Sequence, residues 1–227
     1  MVSADSPDGT PSIALIHGVP TSITPAMTSL RNVLPQARLW NLLDDKLIDD
    51  ATAAGSVTPE LQQRMQRLID HALTAGVDAI VITCSLYAFM AARQTTSTPV
   101  LGSDEAAFRE AIDVPGRVLL VSSVPLALRD SEERLLSLTQ ASNRRVTVVP
   151  LFVEGALVAT GKADSETLSQ LIAERAEPHL QQGDALLLAQ YSLAPAADAV
   201  AERLGVTVIS PPAATARELR RELSNLY

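Results

Sequence analysis

The sequence predicts an α/β protein of two pseudo-symmetric halves, each with a mostly parallel sheet flanked by helices, and an active-site cleft between the halves. Three observations predict this fold class. Short aliphatic runs alternate with longer segments of helical periodicity. Hydrophobic residues make up 47% of the 227 residues but aromatic residues only 3%, so Ala, Leu, Val and Ile must build the core, as is typical of helices packed on parallel strands. A segment of the first half is also repeated in the second.

Short runs rich in Ile, Val and Leu are the predicted strands. They lie at residues 13–16, 38–42, 79–83, 100–101, 118–121, 146–149, 185–189 and 206–209. The segments between them are long enough to cross over a sheet. This length predicts that the strands they connect are parallel.

Two of the connecting helices carry start and stop signals. Thr58 is an N-cap residue followed by Pro59 at the first helical position, and Gly76 is the expected stop. The second helix opens at Asp164 and is expected to end near Gly183. Each of these helices leads into one copy of the repeat.

The internal repeat relates residues 78–86 to residues 184–193, provided that one residue is inserted in the second copy. This alignment places Tyr191 opposite Cys84. The repeat also divides the chain into two α/β halves. The predicted first half is residues 1–114 with 210–227, and the predicted second half is residues 115–209.

The charge balance argues against a nucleic-acid partner. The 18 Lys+Arg and 26 Asp+Glu give a net charge of −8, and a nucleic-acid binder needs clustered cations. Residues 1–12 are polar and carry no cation, so we interpret them as a disordered leader rather than a secretory signal. No apolar run approaches the roughly 20 residues that span a bilayer. With one cysteine in the chain, a reducing, cytoplasmic location without a membrane partner is expected.

Common cofactor and metal motifs are missing from the sequence. There is no G-x-G-x-x-G pattern, and residues 155–163 differ from a phosphate loop in glycine spacing and in having Ala163 in place of Ser or Thr. We interpret that segment as a surface turn. The three histidines lack the spacing of metal ligands, and the lysines lie in polar stretches unsuited to pyridoxal phosphate. Neither a metal nor a cofactor is expected.

Cys84 is the main candidate for chemistry. It lies where a buried strand ends and a helix begins, at the edge of the sheet where α/β proteins bind ligands. Free amide donors at a helix start favour a thiolate and also bind carboxylates. The alternative is a buried structural cysteine that acts as a small apolar residue.

Five motifs carry a resemblance to a known family. They lie at residues 15–22, 42–45, 82–86, 120–125 and 188–193. In this order and spacing, the chain resembles the aspartate/glutamate racemase superfamily, which includes hydantoin racemase, maleate isomerase and arylmalonate decarboxylase. The resemblance covers nearly the whole chain. It implies two similar halves facing each other across a cleft, no metal or pyridoxal phosphate, and one catalytic residue from each half.

The resemblance implies that Cys84 is the first catalytic thiol, whereas the matching second position holds Tyr191. A phenol with a pKa near 10 is a weaker proton donor than a thiol near 8.5. Tyr191 is therefore expected either to act as a second acid or to shape the pocket. The chain has one cysteine and therefore lacks the second thiol of a symmetric two-thiol racemase.

Hydroxyl and backbone donors are expected to hold a substrate carboxylate and to stabilise an enediolate. The expected substrate-binding residues are His17, Thr21, Ser22, Ser85, Ser122, Ser123 and Ser192. Helix capping is the alternative role for the serines and threonine, and a buried structural role is the alternative for His17.

The expected function is a cofactor-independent racemase or isomerase that acts on a small carboxylate through proton transfer by Cys84. A one-thiol decarboxylase or cis–trans isomerase of the same superfamily is an alternative. A non-catalytic protein that binds small carboxylates is the alternative from another class. The sequence leaves open the substrate, its stereochemistry and whether the chain forms a homo-oligomer.

Overall fold

The computed structural model describes residues 10–224, which form two four-stranded parallel sheets flanked by helices. This architecture confirms the predicted fold class. The strand order is β2-β1-β3-β4 in the first sheet and β6-β5-β7-β8 in the second. The strands are β1 Ser12–His17, β2 Arg38–Leu43, β3 Ala79–Ile82, β4 Val100–Gly102, β5 Val118–Ser122, β6 Val148–Phe152, β7 Ala185–Leu188 and β8 Thr207–Ile209.

Helices connect the strands on both faces of each sheet. The α-helices are α1 Ile23–Val33, α2 Leu47–Ala54, α3 Pro59–Thr74, α4 Glu105–Ala111, α5 Pro125–Ala141, α6 Ala156–Gly161, α7 Ser165–Ala176, α8 Ala197–Leu204 and α9 Pro211–Ser224. Short 3₁₀ helices cover Pro20–Ser22, Ser85–Arg93, Glu177–His179 and Tyr191–Ala196. Two of these, Ser85–Arg93 and Tyr191–Ala196, follow β3 and β7 and occupy matching places in the two halves.

Strand β1 shows why the central strands are uniformly aliphatic. Ala14 and Ile16 face the core layer under α2 and α3, whereas Ile13 and Leu15 face the layer under α1 and α9. All four side chains are fully buried. When helices cover both faces of a strand, its sequence is a continuous apolar run, not an alternation of apolar and polar residues.

The helices that follow the last strand of each half pack on the opposite sheet. Helix α4 follows β4 of the first sheet, yet Phe108 packs with Val118 and Leu120 of the second sheet. Helix α9 follows β8 of the second sheet, yet Leu219 packs with Leu15 of the first. The two halves are thereby held together by an exchange of helices. The division at residues 114 and 209 stays a prediction.

Helix α3 begins and ends as its sequence predicts. The backbone N–H of Leu61 donates to the Thr58 hydroxyl at 3.4 Å, and Pro59 occupies the first turn. Gly76 follows the helix with a φ of 70°, a left-handed conformation that glycine adopts without a Cβ clash. The chain therefore leaves the helix and enters β3 in a defined direction.

Three sequence expectations about local structure are wrong. Strand β6 extends to Phe152, past the predicted end at 149, because proline is tolerated on an edge strand and β6 is an edge of its sheet. Helix α7 ends at Ala176, well before Gly183, because Pro178 disfavours helix at the residue before it. Residues 156–161 form the short helix α6 instead of a surface turn.

The expected leader lies mostly outside the described residues, which begin at residue 10. Ser12 belongs to β1, and its backbone N–H donates to Asp78 at 2.8 Å, so the ordered sheet begins within the segment predicted as leader. Within residues 10–224, no helix has the combined length and apolar character needed to cross a bilayer.

Candidate active site

A cavity of about 510 Å³ lies between the two halves, at the carboxyl ends of β3 and β7. Polar residues from both halves line it: Thr21, Ser22, Thr83, Cys84 and Ser85 from the first, and Ser123, Gln190, Tyr191 and Ser192 from the second. The apolar part of its wall includes Val19, Ile48, Val124, Pro125, Ala127 and Leu157. The structure therefore brings together all the site residues expected from the sequence except His17 and Ser122.

Cys84 lies at the junction of β3 and the following 3₁₀ helix. The backbone N–H of Tyr87 donates to the Cys84 carbonyl oxygen at 3.0 Å, and 6% of the residue is exposed. The loop after β1 passes directly over the thiol at Gly18. A Cβ at position 18 would lie 2.9 Å from the Cys84 Sγ, so a glycine is what allows this approach.

Burial raises the pKa of the Cys84 thiol from its ordinary value of 9.0 to about 12. The N–H groups of Leu86 and Tyr87 act in the opposite direction, whereas the charges of Asp104 and Asp130 raise the pKa further. Burial has the larger effect on the pKa, because removing the thiolate from water destabilises it more than the two backbone N–H groups stabilise it. In the ligand-free cavity Cys84 is therefore a protonated thiol at neutral pH, which makes it a proton donor in its resting state.

His17 lies behind the cavity wall and is fully buried. Its Nδ1 is 2.9 Å from Ser22 Oγ and 2.8 Å from Thr83 Oγ1, and its Nε2 is 2.9 Å from Asn41 Oδ1. Burial lowers the pKa of the imidazole, and the hydrogen bond with Asn41 partly offsets this effect. His17 orients two hydroxyls of the wall, and the structure does not support the expected contact with substrate.

The backbone register shows which residues of the two halves correspond. The N–H of Thr83 donates to Ile16 O at 2.9 Å, and the N–H of Ala189 donates to Val121 O at 2.8 Å. Ile16 and Val121 occupy matching positions in the central strands β1 and β5. Thr83 and Ala189 are therefore structural counterparts.

The next residues, Cys84 and Gln190, are counterparts as well. Each precedes a 3₁₀ helix in an extended conformation. The carbonyl of Cys84 accepts from Tyr87 N at 3.0 Å, and the carbonyl of Gln190 accepts from Leu193 N at 3.2 Å. The predicted pairing of Cys84 with Tyr191 is thus wrong by one residue, because the inserted residue of the second copy follows the position that matches Cys84 and does not precede it.

Gln190 is held in one orientation by the end of β5. Its Oε1 lies 2.7 Å from Ser123 N, 2.9 Å from Ser122 Oγ and 3.0 Å from Ser123 Oγ. A backbone N–H can only donate, so the carboxamide oxygen must face it. Ser122 is fully buried in this arrangement and supports Gln190 without lining the cavity. Gln190 is not among the site residues expected from the sequence, although counting residues from the predicted strands, instead of matching the Ser-Leu pairs, places it opposite Cys84.

Tyr191 contributes part of the cavity wall, but its ring packs in the core layer of the first half with residues such as Leu219. Tyr191 and Thr215 of α9 line one small internal pocket. Burial raises the pKa of this phenol far above its ordinary value, and the neighbouring Thr215 hydroxyl offsets only part of the effect. The hydroxyl therefore lies in the core, which leaves Tyr191 as a wall residue and not as an acid facing a ligand.

The hydroxyls around the cavity differ in whether they are free to bind a ligand. Ser22 donates to Val19 O at 2.8 Å, and Ser123 donates to Gln190 Oε1. Among the described residues, the side chains of Thr21, Ser85 and Ser192 have no such partner. These three hydroxyls remain available for a polar ligand.

An ion-pair cluster fixes the segment that carries Cys84 to the second half. Arg134 of α5 donates to Asp104 Oδ1 at 2.8 Å, to Asp130 at 2.9 Å and to the carbonyl oxygen of Ser85 at 3.2 Å. Asp104 is fully buried. The cluster satisfies the buried carboxylate and positions the residue next to Cys84.

The described residues that line the cavity include no Lys, Arg or His. Asp49 of α2 is exposed at the cavity. An anionic ligand would consequently be held by hydroxyls and amide donors and not by a cation. Within residues 10–224, no group of three or more His, Cys, Asp or Glu is arranged to hold a metal ion.

Comparisons with solved structures identify the fold. A glutamate racemase isoform from Bacillus anthracis matches with a TM-score of 0.74 at 18% identity, over 96% of this chain and 83% of that chain. Aspartate racemase from Picrophilus torridus matches with a TM-score of 0.72 at 13% identity, over 93% and 94%. Allantoin racemase from Klebsiella pneumoniae matches with a TM-score of 0.69 at 20% identity, over 96% and 89%. At these identities the likeness shows a shared fold.

Sequence comparisons give information about the family as well as the fold. A search of curated proteins found no match. A family model described as Asp/Glu/Hydantoin racemase matches residues 28–219, which includes every strand from β2 to β8 and the segments that carry Cys84 and Gln190. With most of its length covered by that model, the chain belongs to the Asp/Glu/Hydantoin racemase family.

Proposed function

We propose that the protein is a cofactor-independent isomerase that acts on a small carboxylate through proton transfer by Cys84. The observation that carries this proposal is the position of Cys84, which lies at the cavity between the two halves and directly precedes a 3₁₀ helix. Family membership supports an isomerase. The free hydroxyls of Thr21, Ser85 and Ser192 suit a carboxylate ligand.

The proton transfer is a balanced exchange between sulfur and carbon. As the thiolate removes a proton from the α-carbon, an S–H bond forms, the C–H bond breaks, and the electron pair moves into the carboxylate to give an enediolate. A proton is then returned to the enediolate carbon: return from Cys84 on the same face restores the original configuration, whereas delivery to the opposite face gives the enantiomer. Donors around the cavity lower the barrier by stabilising the negative charge that develops on the carboxylate oxygens.

A one-thiol decarboxylation is the second candidate, and the raised pKa of Cys84 favours it. Loss of carbon dioxide from a malonate-type acid leaves the bonding electrons in an enediolate, which needs a proton but no base. A buried thiol that is protonated at rest can supply that proton directly. Proton removal from an α-carbon and addition to a double bond, as cis–trans isomerisation requires, both need the charged form of Cys84, which burial disfavours.

The test uses both enantiomers of glutamate, aspartate and allantoin, together with an aryl-substituted malonate, in deuterium oxide. We expect α-deuterium incorporation, or carbon dioxide release with one deuterium in the product, for at least one of these compounds. Cys84→Ser and Cys84→Ala should both abolish it, while circular dichroism verifies that the variants fold. Full turnover by Cys84→Ser would refute the proposal. Binding of these compounds by calorimetry without exchange or carbon dioxide release would instead support a carboxylate-binding protein.

A further inference from the structure

Gln190 occupies the place in the second half that Cys84 occupies in the first. A carboxamide neither accepts nor releases a proton at ordinary pH, so the face of the cavity opposite the Cys84 half lacks a proton-transfer group at this position. Where the first half has the ionisable thiol of Cys84, the second half thus has a neutral group that can only form hydrogen bonds. What that group does depends on how it is oriented.

The contacts of Gln190 leave its amide nitrogen free. Ser122 and Ser123 hold Oε1, and the Ser123 backbone N–H, at 2.7 Å, fixes which end of the carboxamide faces them. Among the described residues, Nε2 of Gln190 has no hydrogen-bond partner. Gln190 is half-buried and lines the same cavity as Cys84. A donor held this rigidly pays little entropy when it binds an acceptor.

We propose that Gln190 binds the substrate carboxylate, or the enediolate formed from it, through Nε2, and that proton transfer occurs only on the Cys84 face. This inference rests on the proton transfer by Cys84 in the proposed function, and it favours the decarboxylation candidate over isomerisation, because inversion of a stereocentre needs proton transfer on both faces. A proton removed and returned on one face leaves the configuration of the α-carbon unchanged. The enzyme should therefore exchange or deliver a proton with retention or with one fixed handedness, and should not interconvert enantiomers freely.

The first test measures carboxylate recognition without requiring a known substrate. Iodoacetate and iodoacetamide alkylate a thiolate by the same step, in which an S–C bond forms and iodide leaves, but only iodoacetate carries a carboxylate. Because the chain has one cysteine, the product is unambiguous. Both alkylation rates depend equally on the thiolate fraction and on general access to Cys84. The ratio of the two rates is therefore independent of these factors.

We expect Gln190→Met to lower the iodoacetate-to-iodoacetamide rate ratio about tenfold, the size of one hydrogen bond to a charged group. Methionine keeps the side-chain length and removes the donor. The matched control is Gln182→Met, because Gln182 is exposed near the amino end of β7 and away from the cavity. A ratio for Gln190→Met that stays within twofold of the control would overturn the role of Gln190 as a carboxylate donor.

The second test restores a thiol with Gln190→Cys. In deuterium oxide, the unmodified protein should incorporate deuterium into a compound that it turns over without inverting it, whereas Gln190→Cys should gain inversion. If the unmodified protein already racemises that compound, the one-face proposal is wrong while the role of Cys84 stands. If Cys84→Ser remains active, the proposed function fails whatever Gln190 does. The two failures are thus distinguishable.

Discussion

Cys84 should react with iodoacetamide as a thiol that ionises far above the usual range. Burial raises its pKa from 9.0 to about 12, against the opposing effect of two backbone N–H groups. Each pKa unit changes the thiolate fraction tenfold at a pH below both values. Below pH 9, the thiolate fraction of Cys84 is therefore expected to be about 1000-fold smaller than that of an exposed cysteine in the same protein.

The assay follows alkylation by mass spectrometry between pH 7 and about 10.5. The matched control is Val158→Cys in a Cys84→Ser background, since Val158 is 59% exposed on α6. The rate for the control should level off near its ordinary pKa. The rate for Cys84 should keep rising about tenfold per pH unit across the whole range.

A plateau in the Cys84 rate at or below pH 9 would refute this reasoning. It would mean that the N–H groups of Leu86 and Tyr87 stabilise the thiolate more than burial destabilises it. Cys84 would then be a ready base in the free protein, and the preference for proton donation over thiolate addition would be lost.

The remaining predictions concern stability and packing. The folded state disfavours ionisation of Cys84, whereas the unfolded state ionises it near pH 9. The free energy of unfolding should therefore be unaffected by this thiol below about pH 9 and should decline above it, by roughly 2 kcal/mol at pH 10.5. Urea titrations should show that Cys84→Ser removes this decline. Gly18→Ala places a methyl group against the Cys84 sulfur and should slow alkylation while costing about 1–2 kcal/mol of unfolding free energy. Arg134→Leu leaves the buried Asp104 unpaired and should cost about 3–5 kcal/mol, part of which Asp104→Asn recovers in the double variant. Gly116→Ala would put a Cβ 2.3 Å from the Gly183 carbonyl oxygen and should cost at least about 2 kcal/mol, which chemical denaturation can measure; an unchanged midpoint would contradict the packing of these two backbones.

Much of the fold could be predicted because its signals are local. Parallel strands that are buried on both faces appear as continuous aliphatic runs, and cap residues such as Thr58 mark where helices begin. Errors arose where a neighbour in space overrides the local signal. The strand predicted at residues 146–149 continues through Pro150 to Phe152, because a strand at the edge of a sheet tolerates proline.

The candidate site was predicted less completely, since its assignment depends on register. Residue similarity aligned the Ser-Leu pairs after the two strands and so placed Tyr191 opposite Cys84. The hydrogen bonds at the ends of β3 and β7 show instead that Gln190 occupies that position. Similarity between side chains does not reveal on which side of a position an inserted residue falls, whereas backbone pairing does.

The sequence by itself determined the α/β class, the two related halves and the single thiol at the end of β3, because hydrophobic periodicity and a residue count are properties of the chain alone. Only the tertiary structure decided that Tyr191 turns its hydroxyl into the core, that α4 and α9 pack on opposite sheets, and that Gln190 faces the cavity with a free donor. Those features depend on contacts between segments far apart in the chain. Their geometry is set by strand register and packing, which no local pattern encodes.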